Sequence, residues 1–217
     1  YAKSPDIGYS YLFALELKKQ VDFISKNLGN NVLSLYESSG VFIFEIAKNN
    51  PEKKFTCLVK SKNLKEWFEE RKNCLKIRNI KFISSEIENH NEKYDTILYL
   101  DLINRLSNKQ NLDLIKKCGK NLEDNGNIII NFLNKNSAYG MLFRKGVSRR
   151  YGPEISLSKK QVERLITNFK ITDNVGFNLL PSFRIFFKAG VPGAYTVFNK
   201  YLRYLSRYDL FEGYETR

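Results

Sequence analysis

The stretch that decides the fold is "NVLSLYESSGVFIFEIAKNN", Asn31–Asn50. Its first six residues form a short apolar run that predicts a buried strand, and its second half predicts a helix over about 42–48. The connection between them holds a tyrosine, a glutamate, two serines and a single glycine, Gly40. A strand, turn and helix in this order often bind a nucleotide, but the turn then usually carries two or three glycines. The stretch therefore predicts an α/β domain, and it leaves open whether the turn still binds a ligand.

Strand-like and helix-like segments alternate along the rest of the chain. Such alternation is typical of a mainly parallel sheet with helices on both faces. Helices are predicted over 12–28 and 194–208, and three more are predicted to begin at the capping pairs Asn63 with Glu66, Ser107 with Gln110, and Ser158 with Gln161. Strands are predicted over 54–59, 80–84, 95–100 and 127–133, and two β-like runs over 171–180 and 183–189 are expected to pair as an antiparallel hairpin.

Length and composition favour one domain in a reducing compartment. The 217 residues, 42% of them hydrophobic, suit a single domain with a sizeable core, divided into a helical cap (1–30), a core (31–190) and a C-terminal helix (191–217). Three scattered cysteines and one histidine argue against a disulfide scaffold and against a metal site. No signal peptide and no apolar run of about 20 residues is visible, so a cytoplasmic location is predicted.

The charge of the chain is strongly positive. The formal net charge is +13, from 36 basic and 23 acidic residues. Such an excess attracts nucleic acid, anionic lipid or an acidic partner over long range. The alternative is a general richness in lysine with no specific partner. The oligomeric state stays open at this point.

The order and lengths of the segments resemble the class I S-adenosylmethionine-dependent methyltransferases, over roughly residues 12–190. The best matches to the family are "KYDTILYLDLINRL" (93–106), which looks like its fourth strand, and "LEDNGNIIINFLN" (122–134), which looks like its turn into the fifth strand. Residues 123–126, "EDNG", are predicted to form that turn. The resemblance implies an α/β, Rossmann-like methyltransferase fold with helices on both faces. It also implies a mostly parallel seven-stranded sheet whose last strand is antiparallel. Within the family, the layout looks like that of the small-molecule methyltransferases.

The resemblance also implies a cofactor, S-adenosyl-L-methionine, and residues to bind it. The family pattern V-L-D-L-G-C-G-T-G falls on "VLSLYESSG" (32–40), so its acid falls on Ser34 and its first two glycines on Tyr36 and Ser38. The family acid that grips the ribose falls near Val59, where no acid is present. An acid that holds the adenine falls on Glu86. The cofactor-binding residues implied in this way are Ser34, Tyr36, Glu37, Ser38, Gly40 and Glu86.

Candidate residues for catalysis and substrate binding follow the fourth and fifth strands. By the resemblance, Asp101 and Asn104 face the methyl-transfer site, although Asp101 equally suits a cap of the next segment. The segment 136–154 would cover the substrate, and its side chains could clamp an anion or simply form a solvated basic loop. His90 lies in a polar connection that runs toward the opposite edge of the sheet, so it is not assigned to catalysis. The implied substrate-binding residues are Tyr139, Arg144, Arg149 and Arg150.

Two classes of function follow from these patterns. The first is an S-adenosylmethionine-dependent methyltransferase that acts on a small, anionic or amphipathic molecule. The alternative is a catalytically inactive methyltransferase-like protein that acts as a binding or scaffold partner, because Ser34, Tyr36 and Val59 depart from the family pattern. A nucleic-acid methyltransferase rests on charge alone and ranks last. The C-terminal helix could meet a membrane surface, or it could pack against the domain.

Overall fold

The computed structural model describes residues 7–36, 40–132, 134, 136 and 157–176, with side chains from residue 17 onward. The chain divides into two compact units. One comprises 21–134 and 153–167 and contains the sheet, and the other comprises 1–20, 135–152 and 168–217. Most of the second unit lies outside the described residues, so the single domain over 1–217 stays a prediction. The predicted helix over 194–208 also lies outside them.

Helices and strands alternate in the described chain, as the hydrophobic pattern predicts. None of the helices in these ranges is long and apolar enough to cross a bilayer. A short 3-10 helix, Ile87–Asn89, lies between the third and fourth strands. In chain order the other elements are α1 (Ile7–Lys26), β1 (Asn31–Leu35), α2 (Val41–Asn49), β2 (Lys54–Val59), α3 (Lys62–Cys74), β3 (Ile80–Ser84), β4 (Tyr94–Tyr99), α4 (Asn108–Asn121), β5 (Leu122–Ile130) and α5 (Lys159–Leu165).

The five strands form one sheet in the order β3-β2-β1-β4-β5. Every neighbouring pair is parallel, and central β1 places Leu33 beside Thr56 of β2 and Ile97 of β4. The chain builds outward from β1 to β3 and then returns to the other side of β1 with β4. The strand order therefore reverses between β1 and β4, and open parallel sheets bind ligands at such a point, beyond the carboxyl ends of the strands.

The core is built from the buried faces of the central strands and from aromatic side chains of the flanking helices. Leu33 of β1 and Ile97 of β4 are fully buried. Phe44 of α2 and Phe68 of α3 meet Phe82 of β3, with ring centroids 5.8 and 5.0 Å from the Phe82 ring. Burial of a phenylalanine contributes about 1.5–3 kcal/mol to stability. This packing holds α2 and α3 against the half of the sheet that contains β1, β2 and β3.

The amino ends of β1 and β4 are held together by a carboxylate and a hydroxyl. Asp95 Oδ2 accepts hydrogen bonds from the backbone N–H groups of Asn30 at 2.6 Å and Asn31 at 2.9 Å. The Gly29 N–H donates to Thr96 Oγ1 at 2.9 Å. Position 29 must be glycine here, because an added Cβ would lie 2.2 Å from Asp95 Cγ. Asp95, which lies in the stretch 93–106 that resembles the family's fourth strand, is therefore part of a structural lock.

Two details of the sequence prediction are wrong. Helix α3 is capped by Ser61, whose Oγ accepts from Leu64 N at 3.2 Å, and not by Asn63 with Glu66. Residues 123–126, "EDNG", form no turn before the fifth strand, because β5 already begins at Leu122 and absorbs them through a register shift against β4. The capping boxes at Ser107 and Ser158 are confirmed.

The parallel sheet is confirmed for five strands. Residues 171–176 are described and belong to no strand, and the rest of the predicted antiparallel hairpin lies outside the described residues. The seven strands and the antiparallel last strand therefore stay a prediction.

Candidate functional site

A row of polar residues follows the carboxyl ends of the strands. In the order of the sheet, the row contains Glu86 after β3, Lys60 after β2, Tyr36 after β1, Asp101 after β4 and Asn131 after β5. Because all five strands are parallel, these positions share one edge of the sheet. Tyr36, Glu86 and Asp101 were predicted for this site. Lys60 and Asn131 were not. Lys60 directly follows the predicted strand 54–59, which is a signal that the sequence carries, whereas Asn131 falls inside the predicted strand 127–133 and reaches the edge only because β5 ends at Ile130.

Tyr36 reaches across the end of β2 to the chain that follows β3. Its hydroxyl donates a hydrogen bond to Glu86 Oε2 at 2.7 Å and accepts one from the Ile87 backbone N–H at 2.9 Å. The Lys60 ammonium lies 5.2 Å from the centre of the Tyr36 ring, within the range of a cation–π contact. The side chain is buried, with 9% of its surface exposed. Where the family pattern has a glycine, this chain therefore has a buried tyrosine whose hydroxyl and ring both make contacts.

The Tyr36 hydroxyl is protonated at neutral pH. Desolvation, and then the hydrogen bond to Glu86, raise the pKa of Tyr36 well above its ordinary value. A protonated hydroxyl can donate to the carboxylate and accept from the N–H at the same time. The contact between Tyr36 and Glu86 therefore persists through the neutral pH range.

Asp101 and Asn131 connect the carboxyl ends of β4 and β5. The Asp101 N–H donates to Asn131 Oδ1 at 2.6 Å, and Asn131 Nδ2 donates to Asp101 Oδ1 at 3.0 Å. The Asp101 side chain is exposed at the edge of the sheet. Asn131 thus orients a carboxylate that solvent and a ligand can reach.

The backbone is strained at two points of this edge. Among the described residues, the non-glycine residues with positive φ are Tyr36 at 47°, Lys76 at 56° and Asp101 at 55°. Lys76 follows α3, where its N–H and that of Ile77 bond back to helix carbonyls, as in an ordinary helix end. Tyr36 and Asp101 instead follow β1 and β4, the two strands between which the sheet order reverses. Left-handed L-residues cost about 1–3 kcal/mol and cluster at ligand sites.

Gly40 matches the family pattern for a backbone reason. It precedes α2 with φ 68°, in the left-handed region. An added Cβ would lie 2.7 Å from Phe44 Cε2 and 2.8 Å from Phe68 Cε1. Glycine is therefore required here by conformation and by packing, and its role toward a cofactor stays a prediction.

Other predicted residues lie inside the fold. Ser34 is within β1, flanked by Cys57 and Leu98 of the neighbouring strands, and only 1% exposed. Asn104 is buried in the connection between β4 and α4. Both side chains are buried, and their assigned roles stay predictions. The remaining predicted site residues lie outside the described residues: Glu37, Ser38, Tyr139, Arg144, Arg149 and Arg150.

His90 belongs to a hydrogen-bond network at the beginning of β4. Its Nε2 lies 2.6 Å from the hydroxyl of Tyr94, which donates to Glu92 Oε2 at 2.9 Å. Tyr94 is the first residue of β4 and so lies at the amino edge of the sheet. His90 is therefore remote from the carboxyl edge, in agreement with the sequence analysis. Within the described ranges, no group of three or more histidine, cysteine or acidic residues is close enough to hold a metal ion.

Comparison with solved structures identifies the fold. Strong matches include the S-adenosylmethionine-dependent methyltransferase SibL, with a TM-score of 0.63 and 17% identity over 78% of this chain and 52% of that chain. The magnesium protoporphyrin IX methyltransferase of Synechocystis PCC 6803 with bound SAH matches with a TM-score of 0.58 and 14% identity, over 75% and 77% of the two chains. Coclaurine N-methyltransferase, bound to N-methylheliamine and SAH, matches with a TM-score of 0.56 and 17% identity.

The chain therefore has the fold of the class I S-adenosylmethionine-dependent methyltransferases, as the resemblance implied. No protein-family profile matches the sequence. A search of curated proteins finds no match either. The chain spans 48% of coclaurine N-methyltransferase and 56% of the pyocyanin biosynthetic protein PhzM, which is about half the length of such relatives. Its own activity and substrate are therefore proposals.

Proposed function

We propose that this protein is an S-adenosylmethionine-dependent methyltransferase that acts on a small, anionic or amphipathic molecule. The observation that carries the proposal is the pair of left-handed residues, Tyr36 and Asp101, at the ends of the two strands between which the sheet order reverses. Strain at the crevice where open sheets bind ligands favours a ligand site over a purely structural edge. The structural matches include methyltransferases bound to small molecules, such as coclaurine N-methyltransferase with N-methylheliamine and SAH, and they support the choice of reaction.

The residues of the edge fit the adenine end of the cofactor. Glu86 offers a carboxylate acceptor, and the adjacent Ile87 N–H offers a donor, which together match the amino group and ring nitrogen of adenine. Next to them, β2 ends in a buried Val59 and an exposed Lys60, so no carboxylate from this strand grips the ribose. A charge-assisted hydrogen bond contributes about 1.5–3 kcal/mol, and its loss lowers affinity by an order of magnitude or more. The wild-type protein is therefore expected to bind the cofactor weakly.

Asp101 is the residue proposed to act on the methyl acceptor. The cofactor supplies an activated methyl group, and the protein must align an acceptor with it and exclude water. Asn131 orients the exposed carboxylate of Asp101. This carboxylate can accept a hydrogen bond from the hydroxyl or amine group of the methyl acceptor. Arg144, Arg149 and Arg150 in 136–154 are proposed to bind an anionic group of the substrate.

Calorimetric titration with S-adenosylmethionine and with SAH tests the proposal. Binding of both ligands is expected at millimolar concentration or below, and Glu86→Gln is expected to weaken it. Asp124→Asn is the matched control, because Asp124 is an exposed acid near the amino end of β5 and far along the strand from the site. Absence of heat and of a thermal shift with both ligands would overturn the proposal in favour of the non-catalytic binding protein.

A further inference from the structure

The Tyr36 hydroxyl oxygen occupies a hydrogen-bond acceptor and a hydrogen-bond donor of the site at the same time. It donates to Glu86 Oε2 at 2.7 Å and accepts from the Ile87 N–H at 2.9 Å. The carboxylate has other lone pairs to offer, but the backbone N–H is a single donor and is fully used. A ligand that needs this N–H must therefore displace the tyrosine hydroxyl.

Adenine presents the same pair of functions along one edge of its ring. Its exocyclic amine donates and the neighbouring ring nitrogen accepts. The Tyr36 hydroxyl satisfies with one oxygen the groups that the base would satisfy with two nitrogens. We propose that Tyr36 is an internal competitor for the adenine of the cofactor, and that it sets the affinity of the site for adenosyl ligands. This inference rests on the function proposed above.

Three further features favour this position of Tyr36. The left-handed backbone of Tyr36 directs the side chain toward β3, since the hydroxyl reaches residues that follow that strand. The Lys60 ammonium covers the ring from the β2 side. The hydroxyl is protonated at neutral pH, and burial raises the pKa of Tyr36 further above its ordinary value. The position of the Tyr36 hydroxyl against Glu86 and the Ile87 N–H is thus stabilised by several interactions, and it does not depend on a single hydrogen bond.

Removal of the hydroxyl is the direct test. In Tyr36→Phe, the buried Ile87 N–H loses its acceptor and the exposed Glu86 carboxylate loses its tyrosine donor, and adenine binding then replaces both contacts. The dissociation constant for SAH is expected to fall about tenfold relative to wild type, the equivalent of about 1.4 kcal/mol. Tyr36→Gly removes the ring as well and suits the left-handed backbone, so it is a second route to the same result. Calorimetry gives the affinity, and thermal melting verifies that each variant is folded.

Two controls make the test specific. Tyr94→Phe removes another buried tyrosine hydroxyl that donates to a glutamate, Glu92, at the amino edge, and it is expected to leave SAH affinity unchanged. The second control replaces the adenine of SAH with hypoxanthine, whose edge has a donor and an acceptor in exchanged positions. Tyr36→Phe is expected to give no gain for this analogue.

The outcomes separate the inference from the function on which it rests. SAH binding to wild type that is equal or weaker in both Tyr36 variants would overturn the inference and leave the proposed function standing. Binding that appears only in the Tyr36 variants would support the inference and overturn the proposed function of the wild-type protein. Failure of SAH to bind wild type, Tyr36→Phe and Tyr36→Gly alike would overturn the proposed function itself, and the inference with it.

Discussion

Asp101 and Asn131 hold each other by two hydrogen bonds across the carboxyl ends of β4 and β5. The backbone N–H of Asp101 donates to the asparagine oxygen at 2.6 Å, and the asparagine nitrogen donates back to the carboxylate at 3.0 Å. One side chain therefore stabilises both the left-handed backbone of Asp101 and the direction of its carboxylate. The strained backbone of Asp101 is therefore stabilised by Asn131, the residue that follows the neighbouring strand β5.

Asn131→Ala is expected to impair catalysis more than folding. The exposed pair contributes about 1 kcal/mol to stability, so the variant should remain folded. Under the proposed function, a carboxylate that is no longer oriented lowers kcat about tenfold or more with little change in KM for the cofactor. Steady-state kinetics and chemical denaturation provide the two measurements.

Asn131→Asp is the matched comparison for that variant. It retains the size of the side chain but places a second carboxylate beside Asp101 and removes the amide donor. We expect kcat to fall as in Asn131→Ala. A variant at position 131 that keeps wild-type kcat would show that the Asp101 carboxylate needs no orientation from β5.

Gly29→Ala is expected to destabilise the fold strongly. The new Cβ would lie 2.2 Å from Asp95 Cγ, so the carboxylate must leave the N–H groups of Asn30 and Asn31. The lost hydrogen bonds and the clash together predict a loss of about 2–4 kcal/mol in the free energy of unfolding. Urea denaturation of the purified variant measures it.

A double-mutant cycle isolates the cause of that loss. Asp95→Ala alone is destabilising because it leaves the Asn30 and Asn31 N–H groups without their acceptor. Once Asp95 is alanine, however, Gly29→Ala should cost much less, since the clashing carboxylate is gone. Strictly additive losses would contradict the steric explanation.

The three cysteines are expected to differ sharply in reactivity. Cys57 and Cys118 are buried and Cys74 is exposed. Burial raises the pKa of the Cys118 thiol to about 12, so almost no reactive thiolate is present at neutral pH. A thiol reagent such as DTNB should therefore label Cys74 rapidly in the native protein and the other two only after unfolding. Labelling of Cys74→Ser at the wild-type rate would disprove this assignment.

The ion pair between Glu88 and Lys117 predicts that the free energy of unfolding depends on pH. Lys117 Nζ lies 2.5 Å from Glu88 Oε1, and this hydrogen bond is the main cause that lowers the pKa of Glu88 below its ordinary value. The stabilisation is present above the ordinary pKa of glutamate and is lost as the pH falls through the lowered value. Because Glu88 is exposed, the effect on the free energy of unfolding should be small.

An NMR titration of the Glu88 side chain checks that sign. In Lys117→Met the pKa of Glu88 should rise toward its ordinary value. Lys120→Met is the control, since it removes the same charge from the last turn of α4 and leaves the Lys117 partner of Glu88 in place. The interpretation would be abandoned if the two variants gave the same Glu88 titration as wild type.

Local signals in the sequence predict the fold well where the interaction is itself local. The Ser107 and Ser158 caps are confirmed, because each depends on a partner only three residues ahead. The same rule fails at Asn63, where the nearby Ser61 provides a competing cap that starts the helix earlier. The "EDNG" stretch has the composition of a turn, but pairing with β4 extends the strand through it.

The site is less predictable, because its contacts join residues far apart in the chain. The resemblance assigns both Tyr36 and Glu86 to the cofactor site, and the structure places them at one edge of the parallel sheet. It gives no sign that the two side chains bond to each other across 50 residues. The same holds for Asp101 and Asn131, which are 30 residues apart. Hydrogen bonds of this kind depend on strand order and backbone conformation, which no single motif records.

The lock formed by Gly29, Asp95 and Thr96 has a consequence for how this protein can change over time. It joins the amino ends of β1 and β4, at the edge of the sheet opposite the crevice. The stability of the fold and the choice of ligand therefore depend on different residues. Substitutions around Tyr36 can therefore accumulate without dismantling the scaffold. Descendants of this protein can therefore change their ligand or reaction at the carboxyl edge of the sheet while the amino edge preserves the fold.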